Sequence, residues 1–340
     1  MNLFIPLVVA GILGVIGAMV GPKAGVVFGI GLPYAAMGIF LAGFVYRILK
    51  WAKAPVPFRI TTTCGQQKSL PWFKHAKLDS PFTPVQTMAR MALEVLCFRS
   101  LFRNSVADTK KGRLVYGPNE LLWAAALAFH YSFLIIFLRH YRFFAEPVPF
   151  FINGLDRLDS FFEIGLPPLL LSDVLIVGAL SVLLLRRLVS PQLRYISQAG
   201  DYFPLFLILG IALTGMAMRY IEPFKVPIQE VKQLAMGLVT LHPYKPPFPM
   251  PMFYAHITLV SALFICFPFS KLMHMGGIFL SPTRNLPNNS RAVRHINPWN
   301  PVVKTHTYAE WEHEFRDKIE GAGIPLDSEQ GAEAVESAKV

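Results

Sequence analysis

Six apolar stretches, separated by polar or proline-rich segments, set the pattern of this chain. Crossing about 30 Å of hydrocarbon as a helix takes roughly 20 residues, and each stretch has about that length. The pattern therefore predicts an all-α fold, a polytopic membrane bundle of about six transmembrane helices. The predicted spans are residues 3–20, 26–49, 118–140, 166–185, 202–218 and 252–272.

The polar segments divide the chain into four predicted parts. Residues 1–51 hold two N-terminal transmembrane helices, and residues 52–117 form a cytoplasmic connection with a helical stretch over 85–102. Residues 118–275 form a four-helix membrane core, and 276–340 are a polar cytoplasmic tail whose last ten residues are predicted to be disordered. The N-terminal stretch lacks a basic segment before its apolar run, which favours a retained span over a cleaved signal.

Composition agrees with a membrane protein and gives it an orientation. The hydrophobic fraction is 53%, the charged fraction only 16%, and the mean hydropathy is +0.43, which excludes an ordinary soluble chain. Of the 32 Lys and Arg residues, 24 fall on the side that holds both termini. The positive-inside rule then places both termini in the cytoplasm, in the cell's inner (cytoplasmic) membrane. These basic residues flank the membrane and explain most of the net charge of +11, so no nucleic-acid partner is expected.

Motifs for soluble chemistry are missing from the sequence. The three cysteines form no CxxC or CxxCH, which makes an iron–sulfur cluster or a covalent c-type haem in this chain unexpected. No P-loop, GxGxxG, GxSxG or HExxH occurs. Asp173 is the one acid well inside a predicted span. Either a hydrogen-bonded group near the interface or a proton-handling group fits its position.

Four of the nine histidines lie in or at the ends of two apolar spans. An intramembrane histidine costs free energy unless it has a partner, and haem iron needs two axial ligands on opposite faces of the porphyrin. Helices that run antiparallel bring residues of like depth together. This predicts His130 and His274 as ligands of an inner haem, and His140 and His256 as ligands of an outer haem.

The sequence predicts that residues 253–279 form one continuous helix that carries both His256 and His274. Eighteen residues make five whole turns, so the two side chains would share a face at a separation of roughly 27 Å. His130 and His140 are separated by only about 15 Å of helical rise. A kink at Pro268 is the expected way to reconcile the two heights.

The histidine spacing carries a family resemblance. Phe129-His130 to His140 resembles the second helix of the cytochrome b subunit of respiratory nitrate reductase, and His256 followed by FPFSKLMH to His274 resembles its fifth. The resemblance covers residues 26–280. The segment MGGIFLSPTRN, at 275–285, is similar to the branch found with dissimilatory sulfite reductase, the DsrM-like membrane cytochromes and their heterodisulfide-reductase-like relatives.

The resemblance implies an electron-transfer subunit of a quinol-oxidising oxidoreductase complex. Such a subunit holds two haem b groups, oxidises menaquinol near the outer face and passes electrons through both haems. The recipient would be a cytoplasmic iron–sulfur subunit like heterodisulfide reductase, with further membrane and periplasmic cytochrome subunits, in sulfite reduction. The competing interpretation, a cofactor-free membrane anchor or a proton-coupled transporter, would keep the histidines as proton relays.

Polar groups at the outer surface are the candidates for a quinone site, which needs an apolar slot and a few proton-handling groups. Arg139 and Tyr141 flank His140, and Arg157 follows in the next loop. These three are the predicted quinone-binding residues, and interaction with lipid headgroups is the alternative for each. The nitrate reductase family uses a lysine in this loop, and none stands here.

Overall fold

The computed structural model describes residues 2–54, 65–103, 105–110, 112–165, 167–244, 249–294 and 305–327. The chain divides into two compact units, Met1–His295 and Ile296–Val340. The predicted disordered segment at 331–340 lies outside the described residues. The second unit contains one described helix, α13 (Tyr308–Gly321), which Thr307 caps.

Helices dominate the first unit. In the membrane part they are α1 (Phe4–Val20), α2 (Leu32–Ala52, preceded by a π-helical turn Val27–Gly31), α5 (Glu120–His140), α7 (Leu171–Val189), α9 (Ala199–Tyr220) and α11 (Pro251–Cys266). Shorter helices are α3 (Pro84–Cys97), α4 (Arg99–Phe102), α6 (Phe150–Phe161), α8 (Pro191–Ile196), α10 (Ile228–Val239) and α12 (His274–Gly277). The polytopic helical fold predicted from the sequence is confirmed.

Four described helical segments are long and apolar enough to cross a membrane: Val27–Ala52, Glu120–Phe143, Ala199–Tyr220 and Pro251–Phe269. Helix α1 is shorter at 17 residues, or about 26 Å of rise. Helix α7 carries Asp173, Arg186 and Arg187, which lower its apolar character. These two helices correspond to the remaining predicted spans and pack into the same bundle.

The bundle is organised around α11, α9 and α7. Helix α5 packs mainly on α7, α7 packs on α9, and α11 packs on α9, α1 and α2. Ile176 and Leu180 of α7 and Ile208 of α9 are buried together, with Phe129 and Leu263 against them. Large apolar side chains on the outer surfaces of the helices stay exposed, as in a bundle surrounded by lipid.

Small residues let α1 approach α11 closely. A Cβ atom on Gly17 would lie 2.6 Å from the Thr258 hydroxyl oxygen, and one on Gly21 would clash with the Tyr254 Cβ. Two glycines four residues apart on one helix face are the usual means of close packing between membrane helices. The first predicted span is therefore an integral part of the bundle.

The connection before α5 contains more structure than the sequence predicted. Strands β1 (Ser105–Lys110) and β2 (Arg113–Pro118) form an antiparallel hairpin that pairs Ser105 with Pro118. Gly112 in its turn has φ +75°, a conformation that suits glycine. The third span was predicted to begin at Pro118, but Pro118 ends β2, and α5 begins at Glu120 after the cap Asn119.

Two loops on the opposite side also contain helices that the sequence did not predict. Helix α6 lies in the connection between the third and fourth predicted spans, and α10 lies in the proline-rich connection between the fifth and sixth. On the connection side, the Arg90 guanidinium donates to the Thr283 carbonyl at 2.5 Å, and the Gln67 amide donates to the Asn288 carbonyl at 3.1 Å. Residues that follow α12 therefore pack on the connection within the first unit.

Candidate metal centres

The chain leaves helical geometry between His256 and His274. Helix α11 ends at Cys266, a 3-10 turn spans Phe267–Phe269, and Ser270 is extended at φ −115° and ψ 178°. Pro268 has no backbone N–H with which to continue an α-helix, and the Ser270 hydroxyl accepts from the Leu272 N–H at 3.2 Å. The prediction of one continuous helix over 253–279 was wrong. The separation of 27 Å along a straight helix no longer applies.

The four histidines form two pairs. The rings of His140 and His256, the outer pair, have centroids 6.5 Å apart and planes within 9° of parallel. The rings of His130 and His274, the inner pair, have centroids 5.9 Å apart and planes at 83°. These are the pairs that like depth predicts. Two imidazoles that coordinate one metal from opposite sides, at about 2 Å per bond, have centroids about 6 Å apart.

Local hydrogen bonds fix the tautomer of three of these rings. In each, Nδ1 lies within hydrogen-bond distance of a main-chain carbonyl three or four residues earlier. A carbonyl can only accept, so Nδ1 carries the proton and Nε2 presents its lone pair to a metal. The acceptors are Ala126 for His130 (2.8 Å), Ile136 for His140 (2.7 Å) and Lys271 for His274 (2.8 Å).

The fourth ring, His256, uses a side chain on another helix. Its Nδ1 lies 2.9 Å from the Thr214 hydroxyl of α9. That hydroxyl lies 2.8 Å from the Gly210 carbonyl, to which it donates, so it accepts from the imidazole. The neighbouring Gly215 leaves room for the ring, because a Cβ atom there would lie 3.3 Å from His256 Cε1. No sequence signal pointed to Thr214 or Gly215, which lie about 40 residues before His256 in an apolar run.

The surroundings of the pairs fit a flat prosthetic group. His140 and His274 are exposed, so each pair borders space that a planar group can enter. Helix α5 packs mainly on α7, and α11 packs mainly on α1, α9 and α2, so the two histidine-bearing helices are not closely packed on each other. Two neutral imidazoles with free Nε2 atoms are the ligand set of a six-coordinate haem b iron. The residues present therefore fit the group that the sequence predicted.

Aromatic side chains enclose the inner pair. The rings of Phe98 and Phe129 both lie with centroids 4.9 Å from that of His130. Phe98 ends α3 in the left-handed region at φ +51°, which is uncommon for a bulky residue. The Trp123 indole donates to the Cys97 carbonyl and the Tyr131 hydroxyl donates to the Leu96 carbonyl, both at 2.8 Å. These bonds hold the end of α3 against α5 beside His130.

A buried ion network supports the outer pair. Arg139, next to His140, is only 7% exposed and donates to Asp159 at 2.7 Å and to Asp156 at 3.1 Å. The hydroxyl and the N–H of Ser172 donate to the same Asp159 carboxylate at 2.6 and 2.8 Å. Through these bonds the end of α5 is joined to α6 and α7. Sequence reasoning placed Arg139 at the surface, and its carboxylate partners lie too far along the chain to be predicted.

The other predicted outer residues are arranged differently. Tyr141 and Arg157 are exposed, in the turn after α5 and on α6 respectively. Asp173 is buried, accepts from the Tyr220 hydroxyl at 2.7 Å and lies 3.9 Å from Arg139. Asp173 is therefore hydrogen-bonded near the end of its helix, and a proton-handling role for it stays a prediction.

Comparison with known proteins shows the family of the chain. The sequence profile of the nitrate reductase gamma subunit matches residues 92–295, and the chain belongs to that family. The matched range contains all four histidines of the two pairs and leaves out α1 and α2.

Individual relatives carry a more specific name. The chain is 43% identical over 285 residues to the Hdr-like menaquinol oxidoreductase cytochrome b-like subunit of Archaeoglobus fulgidus, covering 82% of this chain and 85% of that one. It is 39% identical over 280 residues to the protein of the same name from Archaeoglobus profundus, covering 79% and 82%. The predicted resemblance is confirmed.

Proposed function

We propose that the chain is the membrane cytochrome b subunit of a menaquinol-oxidising complex and holds two haem b groups. The observation that carries this proposal is the two pairs of facing imidazoles, in which Nδ1 of each ring is held by the protein and Nε2 is the nitrogen left to bind a metal. The family match and the name shared by the two Archaeoglobus relatives support it. A bound haem b iron supplies reversible one-electron oxidation and reduction.

Each side of the complex has a role in this proposal. Menaquinol is oxidised to menaquinone near the outer pair and loses two electrons and two protons on that side. The electrons are delivered to a cytoplasmic iron–sulfur subunit like heterodisulfide reductase, in dissimilatory sulfur metabolism. Both termini face the cytoplasm, and further membrane and periplasmic cytochrome subunits complete the assembly. The protein's own residues hold the ligands, exclude water and orient the quinol.

The quinone-binding residues divide into two kinds. Tyr141 directly follows His140, and Arg157 lies on α6 next to Asp156; both are exposed and are the side chains that would contact the quinone ring in this proposal. Arg139 is committed to Asp159 and Asp156, so it acts by holding α5, α6 and α7 in place around the site. Replacing Arg157 should therefore change the apparent affinity for menaquinol. Replacing Arg139 should instead disturb the position of His140 and so the retention of the outer haem.

Haem content of the purified chain tests the proposal. The reduced-minus-oxidised spectrum should show a b-type α-band, and a pyridine haemochrome assay should give two haems per chain. His140→Ala and His274→Ala should each lose one haem, because each removes one of the two histidines that would hold that haem. His242→Ala is the matched control, since the His242 imidazole is exposed and its Nδ1 lies against the nearby Thr240 carbonyl, away from both pairs in the sequence. A colourless wild-type protein would overturn the proposal in favour of an anchor or transporter.

A further inference from the structure

A pocket whose lining includes none of the four paired histidines lies between α2, α9 and the broken end of α11. Its volume is about 520 Å³, within the range of about 300–1,000 Å³ typical of small-ligand sites. Its walls are largely apolar, with Phe203 and Pro204 from α9 and Ile265 from α11. Arg47, Asp201 and Lys271 are its charged residues. The pocket thus offers an amphiphile one charged end and one hydrocarbon-like wall.

The charged end has a cation in excess. Lys271 pairs with Asp201 at 2.6 Å, and the Lys271 side chain stays 76% exposed. The Nε atom of Arg47 is buried without a hydrogen-bond partner, and within the described part of the chain no carboxylate pairs with this arginine. The Trp51 ring lies 5.2 Å from its guanidinium carbon and leaves the charge uncompensated. Two cations against one carboxylate give the pocket a formal charge of +1.

We propose that this pocket binds the phosphate group of an anionic phospholipid, with its acyl chains along Phe203, Pro204 and Ile265. Arginine presents a planar fork that matches phosphate oxygens, which would satisfy the buried Nε. Basic pockets between transmembrane helices at the cytoplasmic side are typical binding sites for acidic lipid headgroups. A neutral quinone ring would leave the Arg47 charge uncompensated, so the charge favours the phospholipid.

The pocket is connected to the segment that carries the inner ligand. A Cβ atom on Gly43 would lie 2.8 Å from Pro268, so α2 is pressed closely against the break in α11. Lys271 lines the pocket, and its carbonyl accepts from His274 Nδ1. A lipid held by Arg47 and Lys271 would therefore brace the turn that positions His274. This coupling rests on the proposed haem function, whereas lipid binding itself does not.

Lipid retention by the full chain tests the site. The delipidated protein in neutral detergent is titrated with dioleoylphosphatidylglycerol or dioleoylphosphatidylcholine, and bound lipid is counted by native mass spectrometry. Arg47→Gln should weaken retention of the anionic lipid about tenfold, as expected when a charge-assisted hydrogen bond is lost. Arg47→Lys should keep part of it. Lys50→Gln, an exposed charge on the same helix, is the matched control and should leave retention unchanged.

Several results would overturn the site. One is that the wild type retains the two lipids equally. Another is that the wild type and Arg47→Gln retain the anionic lipid equally. A third is that menaquinone or inorganic phosphate displaces the anionic lipid. Lys271→Gln gives a second variant should Arg47→Gln not fold, and it should also weaken retention. Haem content is read in parallel. Retained lipid with no haem would sink the proposed function alone, and lipid loss without any change at the inner haem would sink only the coupling.

Discussion

The outer and inner histidine pairs reach similar separations by different structural means. The outer pair sits on regular helix, with His256 fixed by Thr214 across to α9 and His140 beside the buried Arg139 network. The inner pair depends on two departures from regular helix, the extended Ser270 before His274 and the left-handed Phe98 against His130. Tertiary ion pairs and hydrogen bonds therefore hold one pair, and local backbone breaks hold the other. Substitutions should affect the two separately.

The largest expected effect comes from Arg139→Ala. The substitution leaves Asp159 and Asp173 buried without their cation. Removal of one partner of a buried ion pair lowers the free energy of unfolding by about 3–5 kcal/mol. The unfolding midpoint should fall, and the outer haem should be lost before the inner one. Thermal unfolding followed by absorbance of each haem measures both. Arg157→Ala, an exposed charge on α6, should change the free energy of unfolding by less than about 0.5 kcal/mol.

Gly215→Ala should disturb the outer pair by crowding. The added Cβ would lie 3.3 Å from His256 Cε1, and overpacking of this kind costs about 1–3 kcal/mol. The expected result is a shifted spectrum and weaker retention of the outer haem, with an unchanged inner haem. Gly178→Ala on α7 is the matched control, because a Cβ there meets nothing within 4 Å. Equal behaviour of the two variants would remove Gly215 from the site.

Ser270→Ala tests the inner pair in the complementary way. It removes the hydroxyl that accepts from the Leu272 N–H, and the loss of such a capping bond costs about 0.5–2 kcal/mol. The turn before His274 should loosen, so that the inner haem is retained less well while the outer haem is unaffected. Ser270→Thr keeps the hydroxyl and should restore retention. An effect on the outer haem alone would contradict the separation of the two supports.

The smallest expected effect is on pH dependence. Burial by itself raises the pKa of Asp156, but the Arg142 hydrogen bond and the charges of Arg142, Arg139 and Arg219 outweigh it, so this pKa lies below the ordinary 3.8. A carboxylate with a lowered pKa contributes stability above its unfolded pKa and loses it as pH falls through the folded pKa. Lowering the pH below 3.8 should therefore reduce the free energy of unfolding of the wild type more than that of Asp156→Asn. Chemical denaturation at a series of pH values measures the difference.

The sequence predicted the histidine pairing because antiparallel spans align residues of like depth, and two ligands per haem leave few combinations. It predicted the six apolar helices because every backbone polar group inside a membrane must form its hydrogen bond within the protein, so a long apolar stretch there has to be helical. It missed α6 and α10, which are short and lie in loops with several prolines. Helix α6 is held by tertiary contacts such as the ion pair of Asp156 with Arg139 on α5, which no local sequence pattern reveals.

The break in α11 was harder to place. Pro268 was expected to kink a continuous helix, but the helix ends before it at Cys266, and Ser270 starts a new turn. Proline removes a hydrogen-bond donor, yet whether a helix bends or ends depends on what caps the freed groups. Here the Ser270 hydroxyl and the close packing of Gly43 decide the outcome. The second contact joins residues more than 200 positions apart.

Haem counting in double variants tests the central claim most directly. If each pair holds one haem, His140→Ala with His256→Ala should lose no more haem than either single variant, because both ligands belong to one site. His140→Ala with His274→Ala should lose both haems. A pyridine haemochrome assay on the purified variants measures this. The pairing would be contradicted if the first double variant lost both haems, or if the second kept one.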